Sequence, residues 1–170
     1  MSNFLKLAKE RYSVRSYKGT PVEQDKIDTL LEAARVAPTA CNNQPWRIKI
    51  LTDADDLAFI DRITPYRFGA PLVFMIAYDS AASWKNPLCE GVDSGYVDAS
   101  IAITHMMLQA ADLGLGTLWV GYFDIADFCE HFKLPETIVP VALLPVGYPA
   151  DDVKPNPLHD KSLDIGQLII

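Results

Sequence analysis

The segment Arg11–Tyr17, RYSVRSY, places two arginines on either side of a hydroxyl-bearing residue. Alternate residues of an extended chain share a side, so the side chains of Arg11, Ser13 and Arg15 would face the same way. Two guanidinium groups that flank a hydroxyl make a suitable clamp for a phosphate monoester, because guanidinium groups bind phosphate oxygens in pairs. An ordinary surface segment with two arginines is the alternative interpretation. The pattern alone indicates an anion site only weakly.

A second cluster of polar groups occupies the loop Ala37–Trp46, APTACNNQPW. The amides of Asn42, Asn43 and Gln44 can each donate and accept hydrogen bonds. They would match a planar heteroaromatic ligand whose edge alternates donors and acceptors. Proline and asparagine also form turns without any ligand, which is the alternative. Turn formation does not account for a Gln-Pro-Trp sequence that runs directly into a strand.

Glycines recur in the segment Gly114–Gly121, GLGTLWVG. A dinucleotide-binding fingerprint would need a third glycine where Trp119 stands, with a helix directly afterwards, so this fingerprint is excluded. The Gly-Lys-Ser/Thr ending of a phosphate-binding loop does not occur here either. We expect Gly114 to end a long helix and Gly121 to let the backbone approach a ligand closely.

The composition of the 170 residues narrows the class of protein. Hydrophobic residues make up 49% and charged residues 22% of the chain, which suits one globular domain. A net charge of -7 argues against nucleic-acid binding. No apolar run reaches the roughly 20 residues of a membrane span, so no membrane partner is expected. Residues 1–15 lack the pattern of a signal peptide, and we expect a cytoplasmic protein.

Cysteines and histidines follow no pattern of disulfides or metal ligands. The three cysteines are odd in number, far apart and include no Cys-x-x-Cys pair. The three histidines are scattered, so we assign no metal ligand. Cys41 lies inside the Ala37–Trp46 loop, where no charged neighbour would activate its thiol. A packing role is therefore favoured for Cys41 over a redox role.

Hydrophobic periodicity predicts alternating helices and strands that would position these segments. Five helices are predicted. They cover Asn3–Glu10, the segment that Pro21 opens and Pro38 ends, the segment from Asp53 to about Ile63, the segment from about Gly95 to Leu113, and the segment from Asp124 to about Phe132. The predicted strands are Trp46–Leu51, a doubly covered central strand at Pro71–Asp79, Leu115–Gly121 and Ile138–Tyr148. We expect an α+β domain with three layers, α/β/α, around a mixed sheet.

Two features indicate contact with a second subunit. After Pro149 the chain continues to SLDIGQLII, which is too apolar to be left in water. The predicted helix at Gly95–Leu113 is apolar on all sides. A dimer that exchanges extensions would explain both features, and packing within one subunit is the alternative.

In this order, the segments resemble the flavin-dependent nitroreductase family over nearly the whole chain. The family opens with Arg-x-Ser-x-Arg/Lys, matched by Arg11, Ser13 and Arg15, and continues with a Ser-Pro-Ser-x-x-Asn-x-Gln-Pro-Trp-like loop, matched at Ala37–Trp46. A helix that ends in Leu-Gly-Leu-Gly-Thr and a Trp-x-Gly strand follow, matched by DLGLGTLWVG, and a VGYP turn closes the pattern at Val146–Pro149. Each match is modest alone, whereas the ordered set is specific.

The resemblance implies a homodimer that binds two FMN molecules in clefts between the subunits. Residues 1–170 would form one nitroreductase-like FMN-binding domain, and the extension from about residue 150 would pack on the partner subunit. The implied cofactor-binding residues are Arg11, Tyr12, Ser13, Arg15 and Lys161 around the phosphate and ribityl chain, Pro38, Thr39, Ala40 and Asn42 at the flavin ring of the other subunit, and Trp119, Val120 and Gly121 near N5. Gln44 and Trp46 would brace the loop.

Two positions depart from the family pattern. Tyr12 stands where many members carry a second arginine. Asp160 lies at or beside a C-terminal position where the family often has an arginine that grips the phosphate, so Lys161 or His159 would have to substitute. These departures predict looser binding of FMN or a different course of the tail.

The resemblance also implies an activity: hydride transfer from NADH or NADPH through flavin N5 to a nitroaromatic, a quinone or a similar small electron acceptor. One shared pocket predicts ping-pong kinetics, and we assign no catalytic side chain because the flavin carries the chemistry. Positive charge from Arg15 would favour the anionic reduced flavin. Dehalogenation or flavin fragmentation on the same fold is an alternative, with Ser80–Ser94 as the lid. A non-catalytic flavin-binding protein is another.

Overall fold

The computed structural model describes residues 3–170, which contain five helices and four strands. The helices are α1 Asn3–Glu10, α2 Gln24–Arg35, α3 Ala54–Ile63, α4 Gly95–Asp112 and α5 Ile125–His131. The strands are β1 Trp46–Leu51, β2 Leu72–Asp79, β3 Gly116–Thr117 and β4 Ile138–Gly147. Short 3₁₀ helices lie at Ala40–Asn42 and Ile165–Leu168. None of the helices described in residues 3–170 has the length and apolarity needed to cross a membrane.

The four strands form one sheet in the order β1-β2-β4-β3, and each neighbouring pair is antiparallel. Strand β2 pairs with β4 from Leu72 opposite Val146 to Asp79 opposite Ile138, with one shift of register between Ile76 and Ala77. The parallel pairing that we expected of a mixed sheet is limited, within residues 3–170, to one bridge. This bridge joins Ser13 to Thr117 at the β3 edge of the sheet.

Helices cover both faces of the sheet, which confirms the α+β class with three layers. Helices α2 and α4 pack on one face, where Phe74 and Ile76 of β2 are buried. Helices α3 and α5 pack on the other face, where Val73 and Met75 of the same strand are buried. Alternate side chains of β2 therefore supply two cores, as its uninterrupted apolar sequence predicts.

The start of α2 differs from the prediction. Pro21 does not open this helix, because the chain stays extended as far as Glu23, with φ of -66° and ψ of 146°. The first helical residue is Gln24. The extended stretch lets Val22 pack against the core that α2 and α4 share, which explains the later start.

The third predicted strand, Leu115–Gly121, is also shorter than expected. It consists of β3 and a separate antiparallel bridge between Val120 and Leu143. Thr117 pairs with Val146 of β4. The residue after Thr117 therefore lies opposite Pro145 of β4. A proline has no N–H with which to continue the ladder, and the strand is interrupted there.

Gly116 allows the arginine segment Arg11–Arg15 to lie directly on β3. The N–H of Val14 donates to the carbonyl oxygen of Thr117 at 3.0 Å, and the Val14 side chain is buried. A Cβ at position 116 would lie only 2.5 Å from Cγ2 of Val14 and 3.1 Å from Cγ of Pro149. Close approach, rather than an unusual backbone conformation, therefore requires glycine at this position.

Gly116→Ala should displace Val14 together with the arginine segment. We expect a loss of about 1–3 kcal/mol in the free energy of unfolding, the usual cost of overpacking a filled site. Chemical denaturation measures this loss. Gly19→Ala is the matched control, because a Cβ there meets no atom within 4 Å and should change stability by at most about 0.5 kcal/mol. Equal stability of the two variants would show that Val14 does not need the space at Gly116.

Candidate active site

One cavity of about 330 Å³ brings the arginine segment and the C-terminal tail together. Its lining residues are Arg11, Tyr12, Ser13, Arg15, Asn156, Leu158 and His159. The three side chains predicted to face one way therefore do share one space. We call it the arginine cavity. No carboxylate lies among the residues that line it in the described part of the chain.

Arg11 gives the clearest indication of a ligand in the arginine cavity. Its Nη1 atom is buried and has no hydrogen-bond partner within residues 3–170. A guanidinium nitrogen that has lost its water without gaining an acceptor is costly, so a partner is expected from outside the chain. The guanidinium of Arg15 donates to the carbonyl oxygen of Ser13 at 3.3 Å. An anion held between the two arginines would supply the acceptor that Arg11 lacks.

Tyr17 fixes the arginine segment to the sheet. Its Oη atom lies 3.1 Å from the carbonyl oxygen of Val14 and 3.4 Å from that of Pro145 in β4. Burial raises the pKa of Tyr17 above its ordinary value, and the charge of Arg15 offsets this only in part. The phenol therefore stays protonated and shares its proton between the two carbonyl oxygens.

The tail closes the arginine cavity through His159. The Nε2 atom of His159 lies 2.9 Å from the carbonyl oxygen of Lys9. Because a carbonyl only accepts, this ring nitrogen is the donor. The ring also meets Tyr12 edge-on, with centroids 6.2 Å apart. Lys161 is exposed and does not line the cavity, so the structure places His159 there rather than the lysine.

A second cavity, of about 230 Å³, also includes Arg15. Its other lining residues are Tyr66, Leu118, Trp119, Val120, Gly121 and Tyr122. We call it the aromatic cavity. The predicted residues Trp119, Val120 and Gly121 are thus brought beside Arg15. Because Arg15 lines both cavities, its positive charge lies between the anion site and the aromatic walls.

Tyr66 and Tyr122 line the aromatic cavity and are candidate site residues that were not predicted from the sequence. Their rings form a T-shaped pair with centroids 5.7 Å apart, and both side chains are exposed. The hydroxyl of the buried Thr64 donates to the carbonyl oxygen of Tyr122 at 2.7 Å and holds the two loops together. The available signal was an aromatic residue in each of two loops that contain glycine or proline. Exposed aromatic rings at a cavity are suited to stacking on a planar molecule.

The loop Ala37–Trp46 lies apart from both cavities. Cys41, Asn42 and Gln44 have positive φ angles of 51°, 56° and 50°, which cost residues other than glycine conformational energy. The N–H of Gln44 donates to Oγ1 of Thr39 at 3.0 Å. The loop ends on a tryptophan that packs against the core of α2 and α4. Its shape is therefore held by specific contacts despite the strain.

The predicted ring-binding residues all lie in this loop. They are Pro38, Thr39, Ala40 and Asn42, and none of them lines the arginine cavity or the aromatic cavity. One subunit therefore does not bring them to the predicted phosphate-binding residues. A site shared between two subunits would require this separation.

A model of the nitroreductase family matches residues 8–69 and 61–148. These residues include the arginine segment, the Ala37–Trp46 loop and the strand that precedes Gly121. The chain belongs to the nitroreductase family, which confirms the resemblance seen in the sequence.

Individual relatives agree with this assignment. A Methanothermobacter thermautotrophicus protein, whose name includes NADH dehydrogenase/NAD(P)H nitroreductase, is 31% identical over 164 residues, 92% of this chain and 82% of its own. A Bacillus subtilis protein named FMN reductase (NAD(P)H) is 29% identical over 168 residues, 89% of this chain and 68% of its own. The crystal structure of a nitroreductase family protein from Clostridium difficile 630 has a TM-score of 0.92 and 33% identity. The match covers 99% of this chain and 98% of that one.

Proposed function

We propose that this chain is an FMN-dependent oxidoreductase that takes a hydride from NADH or NADPH and passes it to a small electron acceptor, such as a nitroaromatic or a quinone. The observation that carries the proposal is the arginine cavity, where Arg11, Ser13 and Arg15 meet and where Arg11 has a buried Nη1 atom without a hydrogen-bond partner in residues 3–170. A phosphate monoester offers several acceptor oxygens at once. Membership of the family and the name of the Bacillus subtilis relative support FMN as the bearer of that phosphate.

The arginine cavity fits the phosphate end of FMN. Arg11, Ser13 and Arg15 would hold the phosphate, and His159 would close the cavity from the tail. The chain as a whole carries a charge of -7, so this cavity is a local positive region on an acidic protein. The charge of the phosphate distinguishes FMN from riboflavin, and its charge-assisted hydrogen bonds would supply much of the affinity.

The aromatic cavity fits the reactive end of the site. When bound, FMN would supply the hydride chemistry that amino-acid side chains lack. Arg15 would stabilise negative charge on a ligand in either cavity. A Cβ at Gly121 would meet no atom within 4 Å, so the backbone there is open to close approach. Tyr66 and Tyr122 would offer their ring faces to a planar acceptor.

A second subunit would complete the site. Apolar side chains remain exposed on α1, on α4 and in the tail: Phe4, Tyr96, Val97, Leu163, Ile165, Leu168 and Ile169. The 3₁₀ helix Ile165–Leu168 is ordered by a capping box between Asp164 and Gln167, yet it buries no side chain. An ordered segment with exposed apolar residues is typical of a surface that packs on another chain. In a homodimer the tail would lie on the partner, and the Ala37–Trp46 loop would reach the partner's flavin.

The visible absorption spectrum of the purified protein, with and without added FMN, tests the proposal first. We expect a bound-flavin spectrum that bleaches when NADH or NADPH is added without oxygen, and the faster donor identifies the preference. Bound flavin that neither donor bleaches would point to a flavin-binding protein or to other flavin chemistry. Failure to bind FMN at all would overturn the proposal.

Arg11→Gln should weaken FMN binding while leaving riboflavin binding unchanged. A charge-assisted hydrogen bond is worth about 1.5–3 kcal/mol, so we expect the dissociation constant of FMN to rise about ten- to hundredfold. Quenching of flavin fluorescence measures both ligands. Arg35→Gln is the matched control, because Arg35 pairs with Glu32 on α2 and lines neither cavity. An equal loss for FMN and riboflavin would contradict the assignment of Arg11 to the phosphate.

Substitution of the tail tests the dimer. If Ile165 and Leu168 are buried on a partner subunit, Ile165→Ser combined with Leu168→Ser should raise the dimer dissociation constant at least about tenfold, since each buried side chain contributes about 1.5–3 kcal/mol. Sedimentation at several protein concentrations measures this constant. Leu88→Ser is the control, because Leu88 is 95% exposed but lies outside the tail. A wild-type monomer, or a dimer that tolerates the tail substitutions, would contradict the proposed packing.

A further inference from the structure

Asp98 is a carboxylate buried in the first part of α4, with 2% of its surface exposed. Its Oδ1 atom accepts from the backbone N–H of Ala40 at 3.0 Å, and its Oδ2 atom accepts from the hydroxyl of Ser94 at 2.7 Å. Each carboxylate oxygen therefore has a donor from a different segment. Residue 40 belongs to the Ala37–Trp46 loop, and residue 94 ends the segment that precedes α4.

The loop depends on this contact more than an ordinary turn would. Residues Cys41 and Asn42, directly after Ala40, both have positive φ angles. Such conformations persist only when surrounding contacts impose them. The bond from Ala40 to Asp98 fixes the point at which the chain enters this strained turn. Without an acceptor at Asp98, the N–H of Ala40 would lose its hydrogen bond.

The other oxygen of Asp98 connects to the segment Ser80–Ser94. The Ser94 hydroxyl that donates to Asp98 also accepts from the N–H of Trp84 at 3.2 Å. Directly after Trp84, Lys85 forms an antiparallel bridge with Asp93. The segment Ser80–Ser94 therefore folds back on itself. This hairpin is therefore anchored at its base to the carboxylate of Asp98.

A second contact joins the same two segments directly. The side-chain amide of Asn43 donates to the carbonyl oxygen of Ala82 at 3.2 Å. The loop and the hairpin are thus linked twice, once through Asp98 and once through Asn43. Any displacement of the hairpin base should be transmitted to Ala40 and the turn after it.

We infer that Asp98 is a positioning residue, which sets the conformation of the Ala37–Trp46 loop and makes it depend on the Ser80–Ser94 hairpin. A carboxylate of this length offers one acceptor oxygen to each of these two donors at once. The position also suits a negative charge, because it lies near the amino end of α4. The functional consequence rests on the proposed function, since it assumes that this loop contacts FMN.

Amide hydrogen exchange measured on the flavin-free protein tests the positioning role without reference to activity. Asp98→Asn removes the negative charge and replaces one acceptor oxygen with an NH₂ group, which weakens the bonds to Ala40 and Ser94, and we expect exchange in residues 39–44 to become severalfold faster. Exchange in β2 and β4 should change far less. Asp112→Asn is the matched control, because it makes the same chemical change at the exposed end of α4.

Ser94→Ala is the decisive second variant, because it leaves Asp98 intact and removes one hydroxyl that does not touch the loop. It should speed exchange in residues 39–44 in the same direction and raise the dissociation constant of FMN severalfold. The double variant should be no worse than Asp98→Asn alone, since both changes interrupt one chain of hydrogen bonds. Exchange in residues 39–44 that matches wild type in Ser94→Ala would overturn the inference.

The two proposals can fail separately. If wild-type protein binds no FMN, the proposed function fails, whereas the exchange experiment still decides whether Asp98 positions the loop. If both variants speed exchange in residues 39–44 but leave the affinity for FMN unchanged, Asp98 positions the loop without affecting FMN binding, and the functional consequence is overturned. A fall in affinity together with faster local exchange is the expected result.

Discussion

The contact between Val14 and Gly116 determines where the positive charges of the site lie. Val14 is buried against Gly116 of β3, which has no side chain at the point of contact. The N–H of Val14 donates to the carbonyl oxygen of Thr117. The residues on either side of Val14 are thereby directed away from the core. The strand itself is held by β4, which also pairs with the central strand β2. The position of the arginine segment is therefore fixed through β3 and β4 by the most deeply buried part of the sheet.

This rigid attachment explains how the chain can tolerate a buried guanidinium nitrogen that has no partner within residues 3–170. The Nη1 atom of Arg11, which has no hydrogen-bond partner in the part of the chain that the structure describes, lowers the stability of the ligand-free subunit, and the surrounding core compensates for the loss. Binding of an anion would restore that stability, so ligand affinity and resistance to unfolding are linked. The raised pKa of Tyr17 keeps its phenol neutral, which leaves the charge of the arginines available to a ligand. An ionised phenolate below the segment would attract the arginines and compete with a ligand for their charge.

The parts of the fold that the sequence predicted are those governed by a single local rule. β2 was found because burial on both faces demands an unbroken apolar sequence. α4 was found because it is a long stretch rich in apolar residues. The arginine segment was found because alternation in an extended chain is a property of that chain alone. The short β3 was not foreseen, since it ends where a proline of another strand, Pro145, meets it.

The missed site residues required knowledge of contacts distant in sequence. Tyr66 and Tyr122 are ordinary loop aromatics until the fold places their rings 5.7 Å apart beside Arg15. In the sequence, Asp98 resembles any acidic residue near the start of a helix, where the helix dipole alone accounts for a negative charge. Its partner Ala40 is 58 residues away, and only the packing of the loop on α4 brings them together. His159 lines the arginine cavity because of the course of the tail, which the sequence left open.

The two ends of the proposed site are consequently built on different principles. The phosphate end rests on backbone bonds to the sheet, so few substitutions could move it without damaging the core. The ring end consists of loops, in which positions depend on single side-chain hydrogen bonds such as those of Thr64, Thr39 and Asp98. Substitutions in these loops would reshape the acceptor side while phosphate binding persists. Specificity for the acceptor can then change without loss of the fold.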